Sequence, residues 1–186
     1  MTVADGRTGA RADGASAPDF PALWDEALTY EAFLATAKEH VALWQTLRKT
    51  ATLPDDVPLA LPPGAERRLL VLNADWCSDA ASTIPVLAAL VDRVPGWSLR
   101  LLDRDSHPAV MDRYLTNGAR AIPIVIVLDE AWRELGHWGP RPSVLQAWVR
   151  ANRLVLDKAT FQREKRTWYA RDRGATTVRE VAGVGR

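Results

Sequence analysis

From Arg67 onward the hydrophobic pattern alternates between strand-like and helix-like periods, and that alternation limits the folds open to the chain. The run "RRLLVLNA" (67–74) reads as a short buried strand, and 78–93 as a helix. "WSLRLLDRD" (97–105) alternates as a strand does, and "PAVMDRYLTNG" (108–118) reads as a short helix stopping at Asn117-Gly118. "IPIVIVLDE" (122–130) is a β-branched strand, and "WRELGHWG" (132–139) returns beside it after a tight turn. Ser143 is placed to cap a long helix from about 144 to 170, with Leu145, Trp148, Val149 and Leu156 among its apolar positions. The order β-α-β-α-β-β-α implies a right-handed parallel crossover followed by a hairpin. The expected fold is therefore α/β, a mixed four-stranded sheet flanked by helices.

Flanking segments read differently. Residues 1–18 are rich in Gly, Ala, Asp and Arg without periodicity and read as a disordered tail. Across 19–50, Tyr30, Phe33, Leu34, Ala37, Val41 and Trp44 fall on one face of a helix. "TLPDDVPLALPPGAE" (52–66), with its four prolines, reads as an extended connector. The expected organisation is a tail (1–18), a helical extension and Pro-rich connector (19–66), a core (67–152) and a C-terminal helix and tail (153–186).

Composition narrows the function classes. With 186 residues, 47% of them hydrophobic and 25% charged, the chain is long enough for one well-filled domain plus an appendage. A formal net charge of +1 gives no reason to expect nucleic acid or an anionic membrane as partner. The N-terminus lacks the apolar centre of a signal peptide, and no stretch approaches a membrane span. A cytoplasmic location is expected, and the oligomeric state is left open. The eight tryptophans are read as apolar anchors rather than a binding platform.

One cysteine, Cys77, excludes any intrachain disulfide. A single cysteine is most often a small buried apolar residue. Its position argues for more: it lies where a strand ends and a helix begins, the place where ligands collect in open α/β sheets. A helix start offers unpaired N–H groups and a positive dipole end, which draw a thiol pKa down. Asp79 opposes that pull by charge repulsion. Ser78 is placed either to donate to the sulfur or to cap the helix.

The stretch "ADWCSDA" resembles the A-x-W-C-x-x-C active site of thioredoxin-like proteins, and the likeness covers 67 to about 152. Trp76 precedes the nucleophile position, and Pro85 stands where thioredoxins carry the proline that kinks the active-site helix. Ile122-Pro123 matches the family's cis-proline, which sits against the active-site sulfur. A bacterial subgroup with "W-C-x-D-A" is most similar, sharing "YLTNGxRxIP" and "WGPRP", here 114–123 and 138–142. Its members carry an N-terminal helical extension and an extra C-terminal helix, consistent with 19–50 and 155–182. The resemblance implies a thioredoxin-like fold with Cys77 as the catalytic residue and Trp76, Ser78, Asp79 and Ala80 completing the motif. It also implies a cis Pro123, with the Ile122 main chain free to pair with an extended substrate.

Here the family's second cysteine is Ala80. A dithiol reductase releases its mixed disulfide with that second thiol, so a general thioredoxin activity is not expected. The leading expectation is monothiol thiol–disulfide exchange, in which an external low-molecular-weight thiol is co-substrate and nothing is permanently bound. Arg120 and Arg141 are candidates to stabilise a thiolate or hold the carboxylate of that thiol. The expected partners are protein thiols or disulfides, or extended peptides. Two alternatives remain: a redox-inactive peptide-binding module, and a single-cysteine sensor oxidised to a sulfenic acid. No metal is expected, because His40, His107 and His137 lack ligand spacing. "QREKRTWYARDR" (162–173) reads as a solvated helix face.

Overall fold

The computed structural model describes residues 17–186 except residue 58, so the expected tail lies outside the described residues up to position 16. Three short helices come first, α1 (Phe20–Glu26), α2 (Tyr30–Thr36) and α3 (Val41–Thr50). They are followed by β1 (Arg67–Asn73), α4 (Ser78–Arg93), β2 (Trp97–Asp103) and α5 (Pro108–Met111). The hairpin β3 (Ile124–Leu128) and β4 (Glu134–Trp138) precedes α6 (Ser143–Asn152), α7 (Lys158–Asp172) and α8 (Ala175–Gly183). The sheet order is β2-β1-β3-β4, with β1 parallel to β2 and antiparallel to β3, and β4 antiparallel to β3.

The two central strands are the apolar ones for a physical reason. Leu69–Leu72 of β1 and all of β3 are buried, as strands covered on both faces must be. Helix α4 supplies Ile84, Leu87 and Leu90 to that core, with Pro85 inside the helix and also buried. Seven of the eight tryptophans are buried or half-buried, and only Trp76 is exposed. No helix among the described residues is long and apolar enough to cross a membrane.

Four expectations are corrected. The 19–50 face is broken into three helices rather than one. The chain turns at 37–40, where Asp75 accepts the amide N–H groups of Lys38 and Glu39, and His40 adopts a left-handed φ of 54°. Tyr30 and Trp44 still reach the core, and the Tyr30 hydroxyl donates to the Trp44 carbonyl at 2.9 Å. The helix expected over 108–118 ends early: α5 passes into a 3-10 turn (Asp112–Tyr114), and Asn117-Gly118 form a tight turn closed by Thr116 and Ala119.

The long helix expected over 144–170 is two helices. The exposed Leu154 and Val155 lie in the break, and Asp157 restarts the helix by accepting the Thr160 N–H. Ser143 is the first helical residue rather than a side-chain cap; its hydroxyl donates to Glu180 of α8 at 2.5 Å. The α6–α7 pair builds a small second core of Leu145, Val149 and Tyr169, with Trp148 stacked on Phe161.

Candidate functional site: a single thiol at the start of α4

Strand β1 ends at Asn73, and the next three residues turn the chain so that the Cys77 N–H donates to the Ala74 carbonyl at 3.2 Å. Cys77 occupies the cap position of α4 with extended backbone angles (φ −81°, ψ 109°). An oxygen usually serves there. In this chain the sulfur does, accepting the Ala80 N–H at 3.5 Å. On its other side the Cys77 S–H donates to the Ile122 carbonyl oxygen at 3.4 Å. The Ile122–Pro123 peptide bond is cis. Gly139 packs so closely on this loop that an added Cβ would strike the Pro123 carbonyl oxygen, which ties the 138–142 turn to the site.

Cys77 lies at the floor of an open cleft of about 290 Å³, bordered by Trp76, Arg104, Arg120 and Ile122. Trp76 is 50% exposed, and the Arg104 guanidinium sits 4.8 Å from its ring centroid, a cation–π contact that holds the indole at the rim. Cys77 itself is only 7% exposed.

Asp79, in the first turn of α4, is buried among side chains from the turn before α6 and from α7. Arg141 contacts its Oδ2 through Nε (2.9 Å) and a terminal nitrogen (2.7 Å). Lys165 Nζ lies 3.0 Å from Oδ1, and the Tyr169 hydroxyl donates to the same oxygen at 3.0 Å. Burial pushes the Tyr169 phenol far up, so it remains a donor. A buried ion needs this degree of pairing to be tolerated. One carboxylate between two cations leaves the cluster with a single positive charge while Cys77 is a neutral thiol.

The thiol is not drawn down as its helix-start position suggests. Burial pushes the Cys77 thiol above its ordinary value, and the Asp79 charge adds to that, while the Ala80 N–H and Lys165 pull the other way. Loss of hydration outweighs the helix start because the sulfur is almost out of water.

These features meet in one strand–turn–helix unit facing a cis-proline loop, and a sequence profile described as thioredoxin matches residues 27–160. The chain belongs to the thioredoxin family. Its fold is shared by a crystal structure of a protein of unknown function from Pseudomonas aeruginosa (TM-score 0.70, 18% identity). An HIV epitope-scaffold is also similar (TM-score 0.68, 20% identity). Each alignment covers 90% of this chain and 97% of the other. No curated protein matches.

Within this thioredoxin-family site, Cys77, Trp76, Ile122 and Pro123 come together, and the buried Ala80 stands where a second thiol would be. Ser78 neither touches the sulfur nor caps the helix; its hydroxyl faces Lys165 Nζ at 3.3 Å. Arg120 borders the cleft, but its guanidinium grips Asp112 in two contacts of 2.6 and 2.7 Å. Arg141 gives Nε and one terminal nitrogen to Asp79 and the other to Gln146. The 162–173 segment is not only a solvated face, because Lys165 and Tyr169 point inward. Their spacing of four residues was the available signal, masked by the charges around them.

Proposed function

We propose that the protein carries out monothiol thiol–disulfide exchange, slowly at neutral pH. The Cys77 thiolate attacks a mixed disulfide between a protein and a low-molecular-weight thiol. A bond forms between the Cys77 sulfur and the small thiol's sulfur, and the protein leaves as a thiolate. A second small thiol, deprotonated, then attacks that adduct, forming a symmetric small-molecule disulfide and returning Cys77 as a thiolate. Electrons balance, since each step breaks one S–S bond and makes another.

The observation that carries this reading is the placement of the Cys77 sulfur between the Ala80 N–H and the Ile122 carbonyl. The first stabilises a thiolate. The second is a main-chain acceptor beside which an extended substrate can be laid. Lys165 adds a smaller pull toward the thiolate, working against burial and the Asp79 charge, which is why the exchange is slow at neutral pH. The single-cysteine W-C-x-D-A subgroup and a cytoplasmic setting fit the same chemistry.

A second reading, a peptide-binding module without turnover, is favoured by the raised thiol pKa and the exposed Trp76. Intact mass after exposure to glutathione disulfide or to a glutathionylated protein separates the two. Exchange predicts one adduct on Cys77, removed by added glutathione and absent in Cys77→Ser. Failure to form any adduct, even above the ordinary thiol pKa, defeats exchange. Unchanged partner capture by Cys77→Ser then leaves the binding module.

A further inference from the structure

The loop over 116–121, which leads into the cis-proline, faces the C-terminal helices across a cavity of about 330 Å³. Val149, Arg150 and Arg153 line it from the end of α6, and Phe161 and Lys165, one turn apart, line it from α7. Its size falls in the range of small-molecule sites, roughly 300–1,000 Å³. Arg141 and Ala121 border both this cavity and the Cys77 cleft, so the two spaces adjoin. Ala121 immediately precedes Ile122, whose carbonyl accepts the Cys77 S–H.

The lining carries one sign of charge. Arg141, Arg150, Arg153 and Lys165 border the cavity, and no Asp or Glu is among the described residues that line it. Among the described residues, the one carboxylate that meets any of these four cations is the buried Asp79, shared by Arg141 and Lys165. Arg150 and Arg153 are exposed and have no hydrogen-bond or ion-pair partner among the described residues. Lys165 is 5% exposed, and its ammonium has three hydrogens for two partners, Asp79 Oδ1 at 3.0 Å and the Ser78 hydroxyl at 3.3 Å. A concave site lined by one charge gathers ions of the other. Val149 and Phe161 add an apolar wall, and Trp148, stacked on Phe161, braces that ring.

We propose that this cavity holds the carboxylates of the small thiol that exchanges with Cys77, so that the co-substrate is a thiol bearing two carboxylates; this rests on the exchange reading above. Arg150 and Arg153, the cations without a partner, take the carboxylates, because a guanidinium offers paired N–H groups that match them. Arg141 and Lys165 keep Asp79 and add to the field. The rest of the ligand runs over Ala121 and brings its sulfur into the cleft. There the Cys77 thiolate attacks the disulfide of the oxidised thiol. One S–S bond breaks and another forms to Cys77, and the other half of the disulfide leaves as a thiolate.

The test has two arms, both on the full chain. The first titrates S-methylglutathione, which has both carboxylates and no free thiol, against its dimethyl ester, and follows backbone amide resonances. The acid should shift Ala121, Val149, Arg150 and Phe161 saturably, and the ester should not. Arg150→Gln with Arg153→Gln, at exposed positions that the fold does not need, should weaken the acid about fivefold or more, as expected for two exposed charge contacts. The second arm measures the rate of the Cys77 adduct from glutathione disulfide relative to that from neutral 2-hydroxyethyl disulfide. The double variant should lower that ratio by a similar factor. Absence of saturable shifts, equal binding of the ester, or unaltered affinity in the double variant overturns the site. Binding of S-methylglutathione with no adduct from either disulfide upholds the carboxylate site and defeats the exchange reading. Adducts whose rate ratio the double variant leaves unchanged uphold exchange and overturn the site.

Discussion

Two aspartates flank Cys77, Asp75 two residues before it and Asp79 two residues after, and the fold satisfies them by different means. Asp75 is half-buried and accepts backbone N–H groups, from Lys38 at 2.7 Å and Glu39 at 3.3 Å. Those amides, Lys38 first, hold its carboxyl below the usual range. Asp79 is buried and is met by side chains alone, from Arg141, Lys165 and Tyr169. The first arrangement pins a nearby turn of the N-terminal extension and stays in contact with water. The second joins α4 to the turn before α6 and to α7, far along the chain, and exposes a charge with no solvent nearby if any partner is lost. A carboxylate beside the thiol can therefore be a local clasp or a long-range anchor, and only the anchor shapes the charge that Cys77 meets.

The largest expected effect tests the anchor. Asp79→Ala leaves the buried Lys165 and the half-buried Arg141 without their counter-charge, and urea unfolding should show a loss of about 3–5 kcal/mol, most of it from Lys165. Replacing the pair together, Asp79→Leu with Lys165→Met, should recover much of that loss, because apolar groups of similar size need no solvation. A cost below about 1 kcal/mol for Asp79→Ala would mean that the cluster is open to water in solution.

Next comes the thiol. Because burial holds the folded Cys77 pKa above the ordinary value, iodoacetamide should alkylate it more slowly than a free thiol at neutral pH, with the rate rising on the alkaline side. Lys165→Met removes a stabilising cation and should move that rise to higher pH. Asp79→Asn removes a repelling charge and should move it lower. The linkage to stability has a definite sign. A neutral thiol favoured by folding contributes fully below its unfolded pKa, about 8.5. That contribution is lost as pH rises through the higher folded value, so wild type should lose stability relative to Cys77→Ala in that alkaline window.

The comparison also shows where the sequence was readable. The strands, α4 and the cleft around Cys77 were legible because their signals are local: a hydrophobic run, a helix period, a proline at a strand start. Trp76 and Ile122 entered the same unit through the thioredoxin resemblance. The Asp79 anchor was not legible, because Lys165 lies 86 residues away among charges that look solvated. Nothing in one sequence marks a lysine whose counter-ion is supplied by another helix. The break of the N-terminal helix was hidden for a related reason. Its apolar spacing continues through 37–41, but the Asp75 carboxylate offers Lys38 and Glu39 a better partner than the next helical turn does. Arg120 and Arg141 were expected near Cys77, and both border its cleft, yet each is already held by a carboxylate.

The smallest effect concerns the clasp. Asp75→Ala removes a carboxylate that serves the 37–40 turn as a cap residue serves a helix, and a loss of about 1 kcal/mol is expected. Its exposure to water keeps the figure well below that for Asp79. Limited proteolysis should report the change locally, as faster cleavage at 37–40 with the sheet still protected. Asp75→Asn keeps an acceptor and should cost less, but it should erase the acid dependence. With the folded pKa held down, the Asp75 contribution is present above the unfolded carboxylate value, about 3.9, and lost as pH falls through the folded one. If wild type and Asp75→Asn lose stability in parallel across that acid range, the clasp owes its strength to the acceptor's geometry and not to its charge, and the contrast with Asp79 becomes one of charge against shape.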